Sequence, residues 1–178
     1  IKNLSAFKYT IINDDWEATI EVDRNHIEDD TLGIYGPQAQ MAGFAAAQLP
    51  DEIVFALVDA GASNLCHDSR PFFGDNHPVG SDTASNTNNV ALQADTLTHA
   101  QASYGAARTA MQSLVDDEGR PLGVTPNVLL VPPALEDAAR VLMTAERFGD
   151  NPNPYRNTAE VVVSPWLTDP AAWFLLDC

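Results

Sequence analysis

The sequence predicts an α+β fold in which an exposed β-hairpin and one long helix precede a compact unit of helices and strands. Three observations predict it: an alternating apolar pattern near the start, a long Ala-rich helical stretch, and a helix, strand, helix, strand, strand order from residue 95 onward. Hydrophobic residues make up 45% of the 178 positions, so the chain can bury a core, which argues against wholesale disorder.

The first element is a β-hairpin predicted over residues 7–24. In the stretch WEATIEV, apolar residues alternate with polar ones, which is the period-two pattern of a half-buried strand. Asn13 and Asp14 form a plausible turn before this strand. Because the alternating polar residues include Glu17 and Glu21, one face of the hairpin is acidic.

The second element is a long helix predicted over residues 31–60, with a break or kink at Pro50. Gly61 follows it as a natural residue for the C-terminal cap. The residues predicted to pack along this helix are Met41, Phe44, Ile53 and Leu57. On this interpretation Phe44→Asp would destabilise the fold.

The third element, over residues 95–178, is the compact unit of helices and strands. Val128–Val131 is a continuous apolar run, which is typical of a strand that is buried on both faces. The predicted core residues of this unit are Leu97, Tyr104, Met111, Leu129, Val131 and Leu142. The chain is therefore expected to divide into residues 1–30, 31–94 and 95–178.

The charge of the chain excludes several kinds of partner. The formal net charge is −16, and the 9 basic residues are scattered, so neither specific nucleic-acid binding nor attachment to an anionic membrane surface is expected. No apolar run is expected to reach the length of a membrane span. The two cysteines, Cys66 and Cys178, form no disulfide framework and indicate free thiols in a reducing compartment.

The stretch DSRPFFGDNHPVG, residues 68–80, is the most unusual part of the sequence, and two interpretations stay open. His67, Asp68, Asp75 and His77 are candidate metal ligands, although their spacing matches no diagnostic motif. Alternatively, Phe72 and Phe73 anchor a structural loop onto the core. The sequence contains no nucleophile elbow, phosphate-binding loop, dinucleotide fingerprint or calcium loop, so no catalytic or cofactor-binding residue and no cofactor is predicted.

Three stretches in this order resemble the Mu-like prophage major head subunit family, called gpT. They are RPFFGDNHP, then YGAARTAMQSLVDDEGRPLGVTPNVLLVPPALEDAARVLM, then NPYRNTAEVVVSPWLTDPAAWFLLD. The resemblance covers most of residues 8–177. It implies a phage major capsid protein of the Hong Kong 97-like fold, with an extended loop at residues 1–30, a spine helix and peripheral-domain segment at 31–94, and an axial domain at 95–178.

The same resemblance implies a function. We expect a structural protein, not an enzyme, that self-assembles through hexamers and pentamers into an icosahedral shell enclosing DNA. Its further expected partners are scaffold, portal and decoration proteins, and its expected locations are the virion capsid and, during assembly, the host bacterial cytoplasm. Relative to the family pattern, the chain is expected to be truncated at both ends. Two alternatives remain: a metal-dependent hydrolase using His67, Asp75 and His77, and an encapsulin-like cargo shell.

Overall fold

The computed structural model describes residues 35–178 continuously and, before them, only residues 10, 12, 13, 15–17, 19, 21, 24 and 33. The hairpin predicted over residues 7–24 therefore lies outside the described residues, apart from these single positions, and it stays a prediction. The fold below is that of residues 35–178.

The long helix, α1, spans Tyr35–Asp59 and continues as a short 3₁₀ turn over Ala60–Ala62. It is rich in Ala, Gln and Leu, which are strong helix formers. The helix continues through Pro50 without a break, although proline removes one backbone hydrogen bond there. The predicted helix is therefore present as one uninterrupted element, and its predicted break is absent.

Helix α1 buries none of its residues within the described chain. The side chains of Met41, Phe44 and Leu57 are 72%, 67% and 60% exposed, and Ile53 is half-buried. Phe44 thus makes no core contact with the described residues whose loss would unfold the subunit, which corrects the expectation for Phe44→Asp. Further packing by Met41, Phe44 and Leu57 must involve a surface other than the described part of this chain.

Helix α1 and the 3₁₀ turn, Tyr35–Ala62, are also long and apolar enough to cross a membrane by length and composition. This differs from the expectation that no apolar run reaches that length. The same properties belong to a helix whose apolar surface is covered by another protein subunit, so composition alone does not separate the two cases.

The C-terminal end of α1 packs against the compact unit of residues 95–178, which is called the C-terminal unit below. Gly61 is buried, and a Cβ atom there would lie 2.6 Å from the ring of Phe73. The absence of a side chain at Gly61 therefore allows close packing of the Phe73 ring, and Gly61 does not have the positive φ of the predicted left-handed cap. The Phe73 ring in turn lies 5.2 Å from that of Phe174, while Asp59 accepts hydrogen bonds from the backbone and hydroxyl of Thr168 at 2.9 and 2.6 Å.

A short hairpin follows α1. Strands β1 (His77–Val79) and β2 (Asp82–Ala84) pair antiparallel across a turn in which Gly80 has a φ of 59°. Asn86 fixes the preceding loop, because its Oδ1 accepts from Gly74 N at 2.8 Å and its Nδ2 donates to Phe72 O at 2.7 Å. The hairpin thereby holds His77 against the loop that precedes it.

The C-terminal unit, residues 95–178, has the predicted order of helix, strand, helix, strand and strand, with one additional short hairpin over residues 147–152 that the sequence did not predict. Its elements are α2 (Leu97–Ala100), a π-helical segment (Gln101–Gly105), α3 (Ala106–Gln112), β3 (Val128–Val131), α4 (Glu136–Thr144), β4 (Arg147–Phe148), β5 (Asn151–Pro152), β6 (Glu160–Val163) and β7 (Phe174–Leu176). Strand β3 is central, parallel to β6 and antiparallel to β7, and β4 pairs with β5 as a separate hairpin. The sheet is thus mixed, and β6 and β7 are its edges.

The main core lies between this sheet and the helices. The structure places the side chains of Tyr104, Leu129, Val131 and Leu142 at 0% exposure, while Leu97 packs partly buried against them and Met111 is half-buried. Complete burial of each large apolar side chain contributes about 1.5–3 kcal/mol. Leu92 and Ala94 belong to the same cluster, so residues on both sides of position 95 pack together.

Two polar contacts tie the helices to the loops beside the sheet. Tyr104 Oη shares a hydrogen bond with Thr158 Oγ1 at 2.8 Å. The Arg108 guanidinium donates to the carbonyl of Pro126 at 2.6 Å. Both contacts connect the helical layer to the segments that lead into β3 and β6.

Two loops, at residues 65–71 and 115–121, share the same backbone hydrogen-bonding pattern and the same position of a residue with positive φ. Their sequences are LCHDSRP and VDDEGRP, and isolated β-bridges join Leu65 to Pro71 and Val115 to Pro121. In both loops the second residue donates its N–H to the carbonyl of the arginine, at 2.7 and 2.8 Å. The residue before that arginine has a positive φ: 63° at Ser69 and 79° at Gly119.

Ser69→Gly should stabilise the chain, since serine occupies the backbone conformation for which the matching loop uses glycine. The left-handed conformation costs about 1–2 kcal/mol for a residue with a Cβ. Glycine loses about 0.5–1 kcal/mol more entropy on folding. We therefore expect a rise in the free energy of unfolding of roughly 0.5–1 kcal/mol, measured by urea denaturation. The matched variant Gly119→Ser should lower it, and two changes of the same sign would contradict the explanation.

Candidate assembly surfaces and a polar loop cluster

Helix α1 carries an exposed apolar surface. Its most exposed large apolar side chains are Met41, Phe44, Val54 and Leu57. At 3.6 residues per turn, these four positions spread over roughly half of the helix circumference. A single neighbouring helix or strand could not contact all four side chains, so α1 has exposed apolar surface on more than one side.

A second apolar surface is a groove of about 590 Å³ beside strand β7. Its apolar lining is contributed by Phe73, Met111, Leu114, Trp173, Phe174 and Leu176. Strand β7 is an edge of the three-stranded sheet, so part of its backbone hydrogen-bonding capacity faces outward. Trp173, which lines the groove, donates its Nε1–H to the carbonyl of Val90 at 2.9 Å.

A polar cluster lies where the loop 65–71 meets strand β1. The Asp68 carboxylate accepts hydrogen bonds from the Cys66 thiol at 2.8 Å, from Arg70 N at 2.9 Å and from His77 Nδ1 at 2.7 Å. The Asp68 side chain is only 3% exposed and that of His77 is 18% exposed. The hydrogen bond from Cys66, followed by those from His77 and Arg70, holds the pKa of Asp68 well below its usual range.

His77 completes only half of its hydrogen bonding in this cluster. Its Nδ1 faces Asp68, but its Nε2 is buried without a partner among the residues that the structure describes. A buried polar atom without a partner costs free energy in either tautomer, as a bare acceptor or as an unpaired donor.

The predicted metal ligands are not brought together as a set. His67 and Asp75 are exposed, and only Asp68 and His77 belong to the ligand cluster that the described residues form, which consists of Cys66, Asp68 and His77. The tight turn places Cys66 and Asp68 on its inner side and leaves His67 outside. Of this cluster, the sequence indicated Asp68 and His77 but missed Cys66 as a ligand, because the spacing of these three residues matches no diagnostic motif. Of the alternative loop anchors, Phe73 packs inward and Phe72 is 56% exposed.

Comparison with known proteins assigns the chain to a protein family. The model of the family described as "Mu-like prophage major head subunit gpT" matches residues 1–100 and 90–167. This chain belongs to that family. The resemblance in the three sequence stretches is thereby confirmed.

Individual gpT-type relatives agree with the family assignment. The chain is 27% identical to the major capsid protein of Escherichia phage Mu, over 94% of this chain and 79% of that protein. It is 35% identical to the Mu-like prophage FluMu major head subunit of Haemophilus influenzae, over 57% of this chain and 34% of that protein. The solved capsid of bacteriophage JBD30, decorated with minor capsid protein trimers, has a TM-score of 0.84 and 28% identity, covering 94% of this chain and 79% of that chain.

The predicted phage-capsid α+β fold is therefore confirmed, and this member of the gpT family is a major head subunit of the Mu-like type. Its relatives are structural capsid proteins and not enzymes, which agrees with the absence of catalytic motifs in the sequence. The two alternatives, a metal-dependent hydrolase and an encapsulin-like cargo shell, find no support among these relatives.

The Mu protein has internal residues that this gpT-family chain lacks. The alignment with the Mu protein extends over 242 residues, which exceeds the 178 residues of this chain, so it contains gaps where the Mu protein has additional residues. The family model likewise matches in two segments that meet at residues 90–100. That junction follows Asn86 to Asn89, which line the groove beside β7.

Proposed function

We propose that this gpT-family chain associates with copies of itself into hexameric and pentameric capsomers of an icosahedral shell that encloses phage DNA. Assembly takes place in the bacterial cytoplasm, and scaffold, portal and decoration proteins are its further partners. Residues 1–30 act as the extended loop, 31–94 as the spine helix and peripheral segment, and 95–178 as the axial domain. The solved JBD30 capsid, a shell of similar subunits, supports this proposal.

The observation that carries the proposal is the exposed apolar surface of α1. A helix of 25 residues is about 37 Å long, and apolar residues exposed along that length are unfavourable in water. A helix that is apolar on several sides is normally covered, either by protein or by lipid. Because the relatives are capsid proteins, we infer that neighbouring subunits supply this cover.

The charge of the chain sets a condition for assembly. Each copy carries a formal net charge of −16, so copies repel one another at low ionic strength. Salt shortens the range of this repulsion from about 30 Å at 0.01 M to about 10 Å at 0.1 M. The acidic surface also leaves packaged DNA unbound, because phosphate contacts require clustered basic side chains.

The test is the size of the particles that the purified chain forms. Negative-stain electron microscopy and light scattering after size exclusion should show capsomer rings or shells at 0.15 M salt or above, and smaller species at 0.01 M. A monodisperse monomer at every salt and protein concentration would overturn self-assembly by this chain. Assembly at low salt that disappears when salt is added would contradict the charge argument alone.

A further inference from the structure

We propose that Cys66, Asp68 and His77 form a binding site for a transition-metal cation of the Zn²⁺ type. The site is separate from the assembly surfaces and from any catalytic role. The cation would join the loop at residues 65–71 to strand β1 in each subunit. No relative's name assigns a metal to this position.

The donor atoms fit this class of cation. The three residues offer one thiol sulfur, one carboxylate oxygen and one imidazole nitrogen, and these atoms all lie within 4.8 Å of one another. Zn²⁺ binds sulfur at about 2.3 Å and nitrogen or oxygen at about 2.0–2.2 Å, so its ligand atoms lie within such a distance of one another. Thiolate and imidazole together favour Zn²⁺ over the hard cations Mg²⁺ and Ca²⁺, which prefer oxygen ligands.

The surroundings hold the three donors in place before any cation arrives. Asp68 is almost fully buried and is fixed by the backbone N–H of Arg70. His77 sits on β1, whose pairing with β2 sets the position of its backbone. Cys66 is half-buried, and its own N–H donates to the carbonyl of Arg70 at 2.7 Å.

His77 would coordinate the cation through Nδ1, the ring nitrogen that lies 2.7 Å from the Asp68 carboxylate. The cation would replace the two hydrogen bonds that Asp68 accepts from Cys66 and His77. Three protein ligands also leave one tetrahedral position, which a water molecule would take. On binding, the Cys66 thiol releases its proton to solvent and the thiolate coordinates the cation, while His77 coordinates as a neutral ring.

Co²⁺ is the probe for this site, since it occupies Zn²⁺ sites and gives visible absorption bands. A thiolate ligand adds a near-ultraviolet charge-transfer band. All proteins carry Cys178→Ser, because Cys178 is an exposed free thiol that could bind metal by itself. We expect a charge-transfer band that saturates at one Co²⁺ per chain and is displaced by Zn²⁺.

Co²⁺ binding by single-residue variants distinguishes this site from nonspecific metal binding elsewhere on the chain. Cys66→Ser keeps a hydroxyl that can donate to Asp68 and should abolish the charge-transfer band. His77→Gln removes a direct ligand and should weaken binding by at least the roughly tenfold that the loss of an outer-shell partner causes. His99→Gln is the matched control, because His99 Nδ1 also lies 2.7 Å from a carboxylate, that of Asp95, but without a cysteine beside it. This control should bind Co²⁺ as tightly as the parent.

Thermal unfolding gives a second measurement that does not require the ligand variants to fold. A cation that binds only the folded chain raises its Tm, so Zn²⁺ should raise the Tm of the Cys178→Ser protein. Absence of both the charge-transfer band and the Tm rise at millimolar metal would overturn the proposal. Binding that is unchanged by Cys66→Ser would overturn it as well.

Discussion

Gly105→Ala should lower the free energy of unfolding by about 3 kcal/mol, at the upper end of the usual range for overpacking a core. Gly105 is buried in the π-helical segment, and an added Cβ would collide with the hydroxyl of Tyr155 and lie 2.9 Å from its Cζ. Tyr155 cannot withdraw freely, because its ring packs edge-on against the fully buried Tyr104 at 5.3 Å. Urea denaturation followed by circular dichroism measures the change.

Two comparisons show whether the collision is the cause. In a Tyr155→Phe background, Gly105→Ala should cost less, since the hydroxyl that the new Cβ meets is gone. Gly43→Ala, on the exposed helix α1 with no atom within 4 Å, should instead raise stability by about 0.5–1 kcal/mol. Equal cost of Gly105→Ala in both backgrounds would mean that another contact is responsible.

Phe44→Asp should abolish assembly of the gpT-family chain while leaving the Tm of the single subunit unchanged. Phe44 is 67% exposed, so the subunit itself loses no core contact. In a subunit interface, an unpaired carboxylate costs several kcal/mol, and every copy in a shell would carry that cost. Electron microscopy and light scattering at 0.15 M salt should show no shells or rings, and differential scanning calorimetry should show an unchanged Tm.

Gln38→Asp is the matched control for Phe44→Asp. It adds the same charge on the same helix, but at a position outside the arc of exposed apolar residues. It should still assemble. Shells formed by the Phe44→Asp variant would contradict the role of α1 as an assembly surface. A large fall in its Tm would instead favour packing of Phe44 within its own subunit.

Local pattern predicted most of the C-terminal unit correctly. The apolar run Val128–Val131 indicated a strand buried on both faces, and β3 is the central strand of the sheet. The helical spacing around Tyr104 and Leu142 indicated inward-facing residues, and both side chains are fully buried in the structure. These predictions depend on neighbours within a few residues, whose periodicity is visible in the chain itself.

Prediction failed where a residue's role depends on a distant part of the chain. Gly61 suggested a helix cap, but its lack of a side chain makes room for the ring of Phe73. The candidate ligand set included His67 and Asp75, whereas the described cluster joins His77 to Cys66 and Asp68. A turn and a hairpin bring these residues together, and their spacing along the chain does not show it.

The sequence alone predicted the α+β class, the main helices and strands after residue 95 except the hairpin β4–β5, the acidity of the chain and its resemblance to the gpT family. The tertiary structure was needed to show that the apolar residues of α1 are not buried by the described part of the chain. It was also needed to show that Cys66 and His77 both hydrogen-bond to the buried carboxylate of Asp68. The physical reason is that periodicity shows which face of a helix or strand is apolar. Whether that face meets its own chain or another depends on how distant segments pack.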